Sequence, residues 1–250
     1  MNNLPPPLLI FDLDGTLAET AGDLIAALNH VMLREGAGAV PVAAARQMVG
    51  HGARKLIGSG LSASGRSVTP ARLEQLFADF IGFYEANIAV HSHLFPGVVH
   101  ALDRFAAAGF TFAVCTNKME NASLLLLRQL GVIERFAFVC GQDTFGVAKP
   151  DPAVLHQTIL RAGSVAGRSI MVGDSNTDIL TARAAGVPVV AVDFGYTDVP
   201  VRELGPDRVI SHFDDLWEAV QGLGAGNFAA QFCPLDEPAP HPLKASHAGA

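Results

Sequence analysis

Cysteine is scarce in this chain of 250 residues, and its three cysteines form no metal-binding or disulfide pattern. Cys115, Cys140 and Cys233 are odd in number and never spaced as CxxC, so neither a disulfide framework nor a zinc site is indicated. Cys115 and Cys140 fall in apolar runs, which predicts two small core residues of a protein from a reducing cytoplasm.

Positive charge and long apolar runs are also lacking. The chain has 17 Lys and Arg against 24 Asp and Glu, for a formal net charge of −7. Without a basic run we expect no nucleic-acid partner. No stretch approaches the roughly 20 apolar residues that span a bilayer, and residues 1–7 lack the features of a secretory signal. We therefore expect no membrane partner and a cytoplasmic location.

Short apolar runs alternate with helical patterns along much of the chain. Such runs are typical of buried parallel strands, and we predict strands at Leu8–Phe11, Phe110–Cys115, Phe136–Cys140, Ser169–Val172 and Pro188–Val192. We predict helices at Val98–Ala108, Glu120–Leu130, Pro152–Ala162 and Thr177–Ala185. The alternation predicts an α/β fold with a Rossmann-like, doubly wound parallel sheet, in which ligands bind beyond the carboxyl ends of the strands.

Residues 20–92 break this alternation. Asp23–Arg34 carries apolar residues on one helical stripe. Thr69 before Pro70 is typical of a helix start, and apolar residues recur from there to Tyr84 at helical spacing.

These patterns predict an all-helical cap domain over residues 20–92, inserted after the first strand. The core domain would then consist of residues 1–19 and 93–221. Residues 222–250 are rich in Gly, Ala and Pro, which predicts a flexible tail.

Carboxylates follow two of the predicted strands. Asp12 and Asp14 lie on the same side of the chain, and carboxylates this close repel unless a cation or a functional proton is present. Asp174 and Asp178 can complete an oxygen-only Mg²⁺ site with Asp12. The alternatives are an ordinary turn rich in Asp and Gly and, at Asp178, a simple helix cap.

Groups suited to phosphate follow two further strands. Thr116 and Asn117 can donate hydrogen bonds to phosphate oxygens, and Lys149 can present a point charge to a phosphoryl group. Alone, each is ambiguous, because Asn is common in turns and a lone Lys usually faces water. The four motifs nevertheless occur in order at predicted strand ends, which favours a single site.

The four motifs resemble those of the haloacid dehalogenase superfamily. That family has DxDGT, Ser/Thr-Asn, Lys-Pro and GDxxxD, matched here by Asp12, Asp14, Thr116, Lys149, Asp174 and Asp178. The helical insertion resembles the family's cap of the first-position type. The resemblance covers roughly residues 8–220 and implies a Mg²⁺-dependent phosphomonoesterase.

The resemblance also implies the role of each residue. Asp12 would attack phosphorus to form an aspartyl-phosphate, and Asp14 would serve as general acid and then general base. Mg²⁺ would be held by Asp12, Asp174 and the main-chain carbonyl of Asp14. Asp178 would support the metal site without binding the metal directly. The groups expected to hold the phosphoryl oxygens are Thr116, Asn117 and Lys149.

Within the superfamily, the chain is similar to the phosphoglycolate phosphatases. The similar stretches are Phe11–Leu17, Val49–Arg54, Cys115–Lys118 and Phe194–Tyr196. Ala18-Glu19-Thr20 departs from the group's usual Val-Asp-Ser but keeps an acid and a hydroxyl. The resemblance implies a small phosphorylated substrate, 2-phosphoglycolate.

Recognition of the leaving group would then fall to the cap. A carboxylate such as that of glycolate needs a cation or hydrogen-bond donors, and the candidates are Arg54, His51 and Lys118. Arg54 is favoured because its planar fork matches a carboxylate. The alternative is that Arg54 begins a surface helix and faces water.

Three other functions stay open. A sugar-phosphate phosphatase or a phosphoglucomutase would use the same motifs. A binding module without turnover is disfavoured, because such a protein is expected to have lost one of the acids.

Overall fold

A six-stranded parallel sheet forms the central layer of the structure, a computed structural model that describes residues 4–41, 49, 52–197 and 199–223. The strand order is β5-β4-β1-β6-β7-β8. The strands are β1 (Leu8–Phe11), β4 (Thr111–Cys115), β5 (Phe138–Cys140), β6 (Ser169–Gly173), β7 (Val189–Val192) and β8 (Arg208–Ile210). The predicted Rossmann-like fold class is confirmed.

Helices cover both faces of this sheet. Successive residues of β1 point to opposite faces, so Leu9 and Phe11 join one apolar cluster, and Leu8 and Ile10 join the other. The first cluster includes residues of α4 (Val98–Ala107), α5 (Glu120–Gln129) and α8 (Leu216–Leu223). The second includes residues of α6 (Pro152–Arg161) and α7 (Asn176–Ala184). Because both faces are covered, β1 is buried over its whole length.

Among the described residues, three α-helices lie between β1 and α4 along the chain. They are α1 (Ala21–Arg34), α2 (Ala53–Ala63) and α3 (Pro70–Ala86). All three pack against one another and bury apolar side chains such as Leu28, Leu56 and Phe80. Thr69 caps α3 by accepting a hydrogen bond from the Arg72 N–H at 3.2 Å, and Pro70 is its first residue. We propose that this helical insertion is the cap domain.

A two-stranded antiparallel ribbon joins the insertion to the sheet domain. Its strands, β2 (Ala18–Glu19) and β3 (His93–Leu94), pair on either side of the insertion. The Asp23 carboxylate of α1 strengthens this junction by accepting hydrogen bonds from the main-chain N–H groups of His91 and Ser92. The two ends of the insertion therefore lie next to each other in the structure.

Several features fall outside the sequence-based predictions or outside the described residues. The elements β2, β3, β8, α2 and α8 were not predicted as such. Cys115 and Cys140 are buried, as predicted. The flexible tail was predicted for residues 222–250, but residues 222 and 223 belong to α8. Cys233 and the rest of the predicted tail, from residue 224 onward, lie beyond the described residues, and that part stays a prediction. No helix in the described ranges combines the length and apolar character needed to cross a membrane.

Candidate active site

The predicted site residues converge at the carboxyl edge of the sheet. Asp12 and Asp14 follow β1, Thr116 follows β4, and Asp174 follows β6. Parallel strands end at a common edge, and this brings residues from distant parts of the chain together. A cavity at this edge is lined by Asp12, Asp14 and Thr116 from the sheet domain, and its opposite wall comes from the helical insertion.

Three buried carboxylates form an acidic cluster beside this cavity. One oxygen from each of Asp12, Asp174 and Asp178 lies within 4.8 Å of the others. Burial, opposed by Lys149, raises the pKa of Asp12 to about 6. Burial and the charges of Asp12 and Asp178 raise the pKa of Asp174 to about 8. Carboxylates packed this closely are stabilised in their charged form by a cation.

The donor set of this cluster fits Mg²⁺. All of its ligand atoms are carboxylate oxygens, which hard divalent cations prefer. Asp12 Oδ1 is buried without a hydrogen-bond partner among the described residues. Lys149 Nζ lies 3.0 Å from this oxygen as an ion pair, and a carboxylate oxygen has more than one lone pair. The oxygen therefore retains a lone pair for a metal ion.

The Asp174 carboxylate is held rigidly in this cluster. Its Oδ1 accepts a hydrogen bond from the Thr16 hydroxyl at 3.0 Å, and its Oδ2 accepts one from the Tyr196 N–H at 2.8 Å. Glycine is required on both sides, since a Cβ atom at Gly15 or Gly195 would lie 2.5 or 2.3 Å from Asp174 Oδ2. This packing fixes the direction of the carboxylate.

Asp178 and Lys149 form a buried ion pair. Lys149 Nζ lies 2.5 Å from Asp178 Oδ1 and 3.0 Å from Asp12 Oδ1. Burial opposes the charge of Lys149, but Asp12 and Asp178 outweigh it and raise the lysine pKa well above its usual range. Asp178 also caps α7 by accepting hydrogen bonds from the Ser175 N–H and hydroxyl. Both sequence-based interpretations of Asp178, helix cap and support for the site, therefore fit its contacts.

Asn117 makes different contacts from those expected for a phosphate ligand. Its Oδ1 accepts a hydrogen bond from the Lys149 N–H at 3.0 Å, and its Nδ2 donates to the Lys149 carbonyl at 3.1 Å. The side chain therefore positions the Lys149 loop. Thr116 is buried, and its Oγ1 accepts from the Lys118 N–H at 3.3 Å, which leaves its own O–H to donate to a ligand in the cavity.

Lys118 lies between Asp14 and the helical insertion. Its Nζ is 2.9 Å from Asp14 Oδ1 and 3.1 Å from Oδ2. The same ammonium lies over the ring of Tyr84 from α3, 4.4 Å from the ring centroid. Burial opposes the charge of Lys118, but Asp14 and Tyr84 raise its pKa above the usual range. Lys118 is thus a buried cation beside Asp14.

The structure does not bring Arg54 to the cavity, although the sequence favoured it as a carboxylate ligand. Its Nε and Nη2 each donate to Glu74 at 2.8 Å, and its guanidinium lies 3.6 Å from the centroid of Phe77. The two neighbouring guanidinium nitrogens Nε and Nη2, which could bind a carboxylate together, are thus already bonded to Glu74 on the protein surface. The alternative interpretation, a surface helix, describes its position. His51 lies outside the described residues.

The sequence analysis did not assign Tyr84 or Tyr196 to the site. Tyr84 was recognised only as one of the apolar positions of a helix. Tyr196 was noted only as part of a resembling stretch, yet its hydroxyl accepts from the Thr20 N–H at 2.6 Å and donates to Glu19 at 2.7 Å. No local pattern distinguishes such a tyrosine from a core residue.

Comparison with known proteins agrees with this geometry. Residues 9–192 match the family model described as haloacid dehalogenase-like hydrolase. A curated protein of Mesorhizobium japonicum named phosphoglycolate phosphatase is 51% identical over 210 residues, which cover 84% of this chain and 92% of that protein. One of the same name from Agrobacterium fabrum is 44% identical over 214 residues, which cover 86% of this chain and 92% of that protein.

A solved structure is also similar to this chain. The crystal structure of a predicted phosphoglycolate phosphatase from Haemophilus somnus has a TM-score of 0.81 and 27% sequence identity, and the match covers 86% of this chain and 98% of that one. The family match spans more than half of the chain and contains all four motifs of the site. The chain therefore belongs to the haloacid dehalogenase-like hydrolase family.

Proposed function

We propose that the protein is a Mg²⁺-dependent phosphomonoesterase that hydrolyses 2-phosphoglycolate to glycolate and phosphate. The observation that carries this proposal is the buried Asp12 carboxylate, whose Oδ1 has no hydrogen-bond partner among the described residues and faces Lys149 Nζ at 3.0 Å. The names of the two curated relatives support the choice of substrate. A cytoplasmic location belongs to the same proposal.

The first half of the reaction transfers the phosphoryl group to Asp12. A carboxylate oxygen of Asp12 attacks phosphorus while the bond to the ester oxygen breaks, and Asp14 gives its proton to that oxygen. Thr116 donates its O–H, and Lys149 presents its charge, to the phosphoryl oxygens. Asp12 and Asp174 would hold Mg²⁺, which would neutralise charge on the transferring group.

The second half regenerates the enzyme. Asp14, now a carboxylate, takes a proton from a water molecule that attacks phosphorus, and the bond to Asp12 breaks to release phosphate. Lys118 stands 2.9 Å from Asp14 and holds this carboxylate toward the cavity between the two steps. Asp178 and Asn117 keep Lys149 in place throughout.

A panel of phosphate esters tests this function. The panel contains 2-phosphoglycolate, glucose phosphates, glycerol phosphate and a nucleotide, each assayed with Mg²⁺ and with a chelator. We expect the highest kcat/KM for 2-phosphoglycolate and loss of turnover on chelation. A different preferred ester would overturn the substrate and favour a sugar-phosphate phosphatase. Activity that needs a bisphosphate activator would favour a phosphoglucomutase.

A matched variant tests the nucleophile in the same assay. Asp12→Asn keeps the shape of the side chain but removes the attacking charge, so it should release no phosphate while keeping the circular dichroism spectrum of the wild type. Turnover in the folded variant would refute the role of Asp12. Absence of turnover in the wild type on every ester would leave the binding-module interpretation.

A further inference from the structure

The wall that the insertion contributes to the cavity is almost entirely apolar. Its side chains include Leu24, Leu56, Phe80 and Ile81. Among the described residues of the insertion, Tyr84 of α3 is the one polar side chain that lines the cavity. An apolar wall excludes water, so a polar group within it has few partners other than a ligand.

The hydroxyl of Tyr84 is buried without an acceptor for its proton. The residue is 1% exposed, and no described residue accepts a hydrogen bond from its hydroxyl. The neighbouring Lys118 ammonium can only donate to the hydroxyl oxygen. Burial, opposed by Lys118, raises the tyrosine pKa to about 12, so at neutral pH the group carries its proton and is a donor. A buried donor without an acceptor costs stability, and an acceptor oxygen on a ligand would remove that cost.

Lys118 connects Tyr84 to the proposed general acid. Its Nζ lies 4.4 Å from the Tyr84 ring centroid and 2.9 Å from Asp14 Oδ1. In the proposed reaction, Asp14 protonates the leaving oxygen. The substituent attached to that oxygen must therefore lie against Lys118 and Tyr84.

The start of α2 faces the same cavity. Gly52 and Ala53 line it, and Gly52 enters the helix with a φ of 86° and without a side-chain cap. The first N–H groups of a helix have no partner within it, and they favour an anion. A Cβ atom at Gly52 would lie 3.8 Å from the Asn117 carbonyl, so this helix end lies against the catalytic loop.

We propose that Tyr84, Lys118 and the N-terminus of α2 form a subsite for a carboxylate on the leaving group. Tyr84 is its specificity-determining residue. The inference rests on the proposed function and assigns the substrate class, namely phosphate monoesters of small alcohols that carry a carboxylate next to the alcohol carbon. Lys118 supplies the charge that Arg54 was expected to supply, because Arg54 is paired with Glu74.

The two tyrosines of the chain offer a matched test. Tyr84→Phe removes a hydroxyl whose proton has no acceptor among the described residues, and Tyr196→Phe removes one that donates to Glu19 and accepts from Thr20. The measured quantity is the ratio of kcat/KM for 2-phosphoglycolate to kcat/KM for ethyl phosphate, which has a methyl group in place of the carboxylate. We expect Tyr84→Phe to lower this ratio by about tenfold, the size expected for one hydrogen bond to a charged group. Tyr196→Phe should keep the wild-type ratio.

A binding measurement separates failure of the subsite from failure of the proposed function. Glycolate is titrated calorimetrically into the wild type and into Tyr84→Phe. Weaker binding to the variant, by a similar factor, supports the subsite whether or not any ester turns over. Equal glycolate affinity in both proteins, or an unchanged substrate ratio in Tyr84→Phe, overturns it. An equal loss of the ratio in the two tyrosine variants overturns it as well.

Discussion

Lys149 balances the charge of the acidic cluster. It is the buried cation that contacts Asp12 and Asp178 directly, and its backbone is held on both sides by the Asn117 amide. Removing one member of a buried ion pair leaves the other charge without compensation, which is far more costly than losing a surface pair. We therefore expect Lys149 to stabilise the folded protein in addition to its proposed role in the reaction.

We predict that Lys149→Met lowers the free energy of unfolding by about 3 kcal/mol, because two buried carboxylates lose their cation. Denaturant unfolding at neutral pH measures this change. Lys55→Met is the matched control, since Lys55 is exposed on α2 and surface changes stay within about 0.5 kcal/mol. Equal stability of the two variants would contradict the account.

The raised pKa values of the cluster predict a pH dependence of stability. Without metal, folding raises the pKa of Asp12 to about 6 and that of Asp174 to about 8. Between the ordinary and the raised pKa values the folded state binds more protons than the unfolded state. The free energy of unfolding of the metal-free protein therefore falls as the pH rises from 3.8, the ordinary carboxyl pKa, to about 8. Thermal unfolding of the protein in the presence of a chelator, from about pH 3.8 to about pH 8, measures this loss of stability.

Two controls belong to this prediction. Asp174→Asn removes the Asp174 contribution and should flatten the fall at its alkaline end. Mg²⁺ needs deprotonated ligands, so its stabilising effect should grow as the pH rises. Stability of the metal-free protein that rises with pH over this interval would refute the assignment.

For single residues, the sequence identifies those whose role follows from their type and their position after a strand. It does not identify residues whose role depends on which side chains they contact in the folded protein. Asp12, Asp14 and Asp174 stand out because acids directly after apolar strands are unusual. Arg54 was assigned by its type alone, and the sequence has no signal that it pairs with Glu74, 20 residues later. Tyr84 shows the converse, since helical spacing marks it as apolar and hides the hydroxyl.

At the scale of elements, the junction between the two domains depends on β2, β3 and Asp23. The Asp23 carboxylate is 3% exposed and accepts hydrogen bonds from the Ser92 N–H at 2.8 Å and the Ser92 hydroxyl at 2.7 Å. It also accepts from the His91 N–H at 3.0 Å. These bonds hold the end of the insertion against the first turn of α1.

We predict that Asp23→Ala lowers the free energy of unfolding by about 2 kcal/mol, because it leaves buried N–H groups without acceptors. Hydrogen exchange should be faster at the amides of His91 and Ser92. Asp23→Asn keeps one acceptor oxygen and should show a smaller change in both measurements. Unchanged protection of these two amides in Asp23→Ala would rule out the role of Asp23 at the junction.

The elements that the sequence predicts are those with strong periodicity. The five predicted strands and four sheet-packing helices are present with ends shifted by a few residues. For example, β5 begins at Phe138 because a short 3₁₀ turn at Ile133–Arg135 precedes it. The two-residue strands β2 and β3 are too short for a period, and edge strand β8 begins with the exposed Arg208. The formation of these three strands depends on pairing with another strand in the folded protein and not on a local sequence pattern.

For the molecule as a whole, we propose that catalysis depends on the strand ends and that selectivity depends mainly on the insertion, together with Lys118. The strand ends bring Asp12, Thr116 and Asp174 together, and these groups would recognise only phosphate. The insertion adds Tyr84 and the start of α2 to the same cavity. The sequence predicts this division through the family resemblance, but which insertion residues face the cavity depends on how three helices pack.

In the proposed reaction Asp12 carries the phosphoryl group during turnover, and direct detection of that group tests this role. Wild-type protein is mixed with 2-phosphoglycolate and Mg²⁺, quenched in acid within one turnover, and its peptides are analysed by mass spectrometry. We predict a transient phosphoryl group on the peptide containing Asp12 and its absence in Asp12→Asn. Phosphate release without phosphorylated Asp12, or with the group on another residue, would contradict the account.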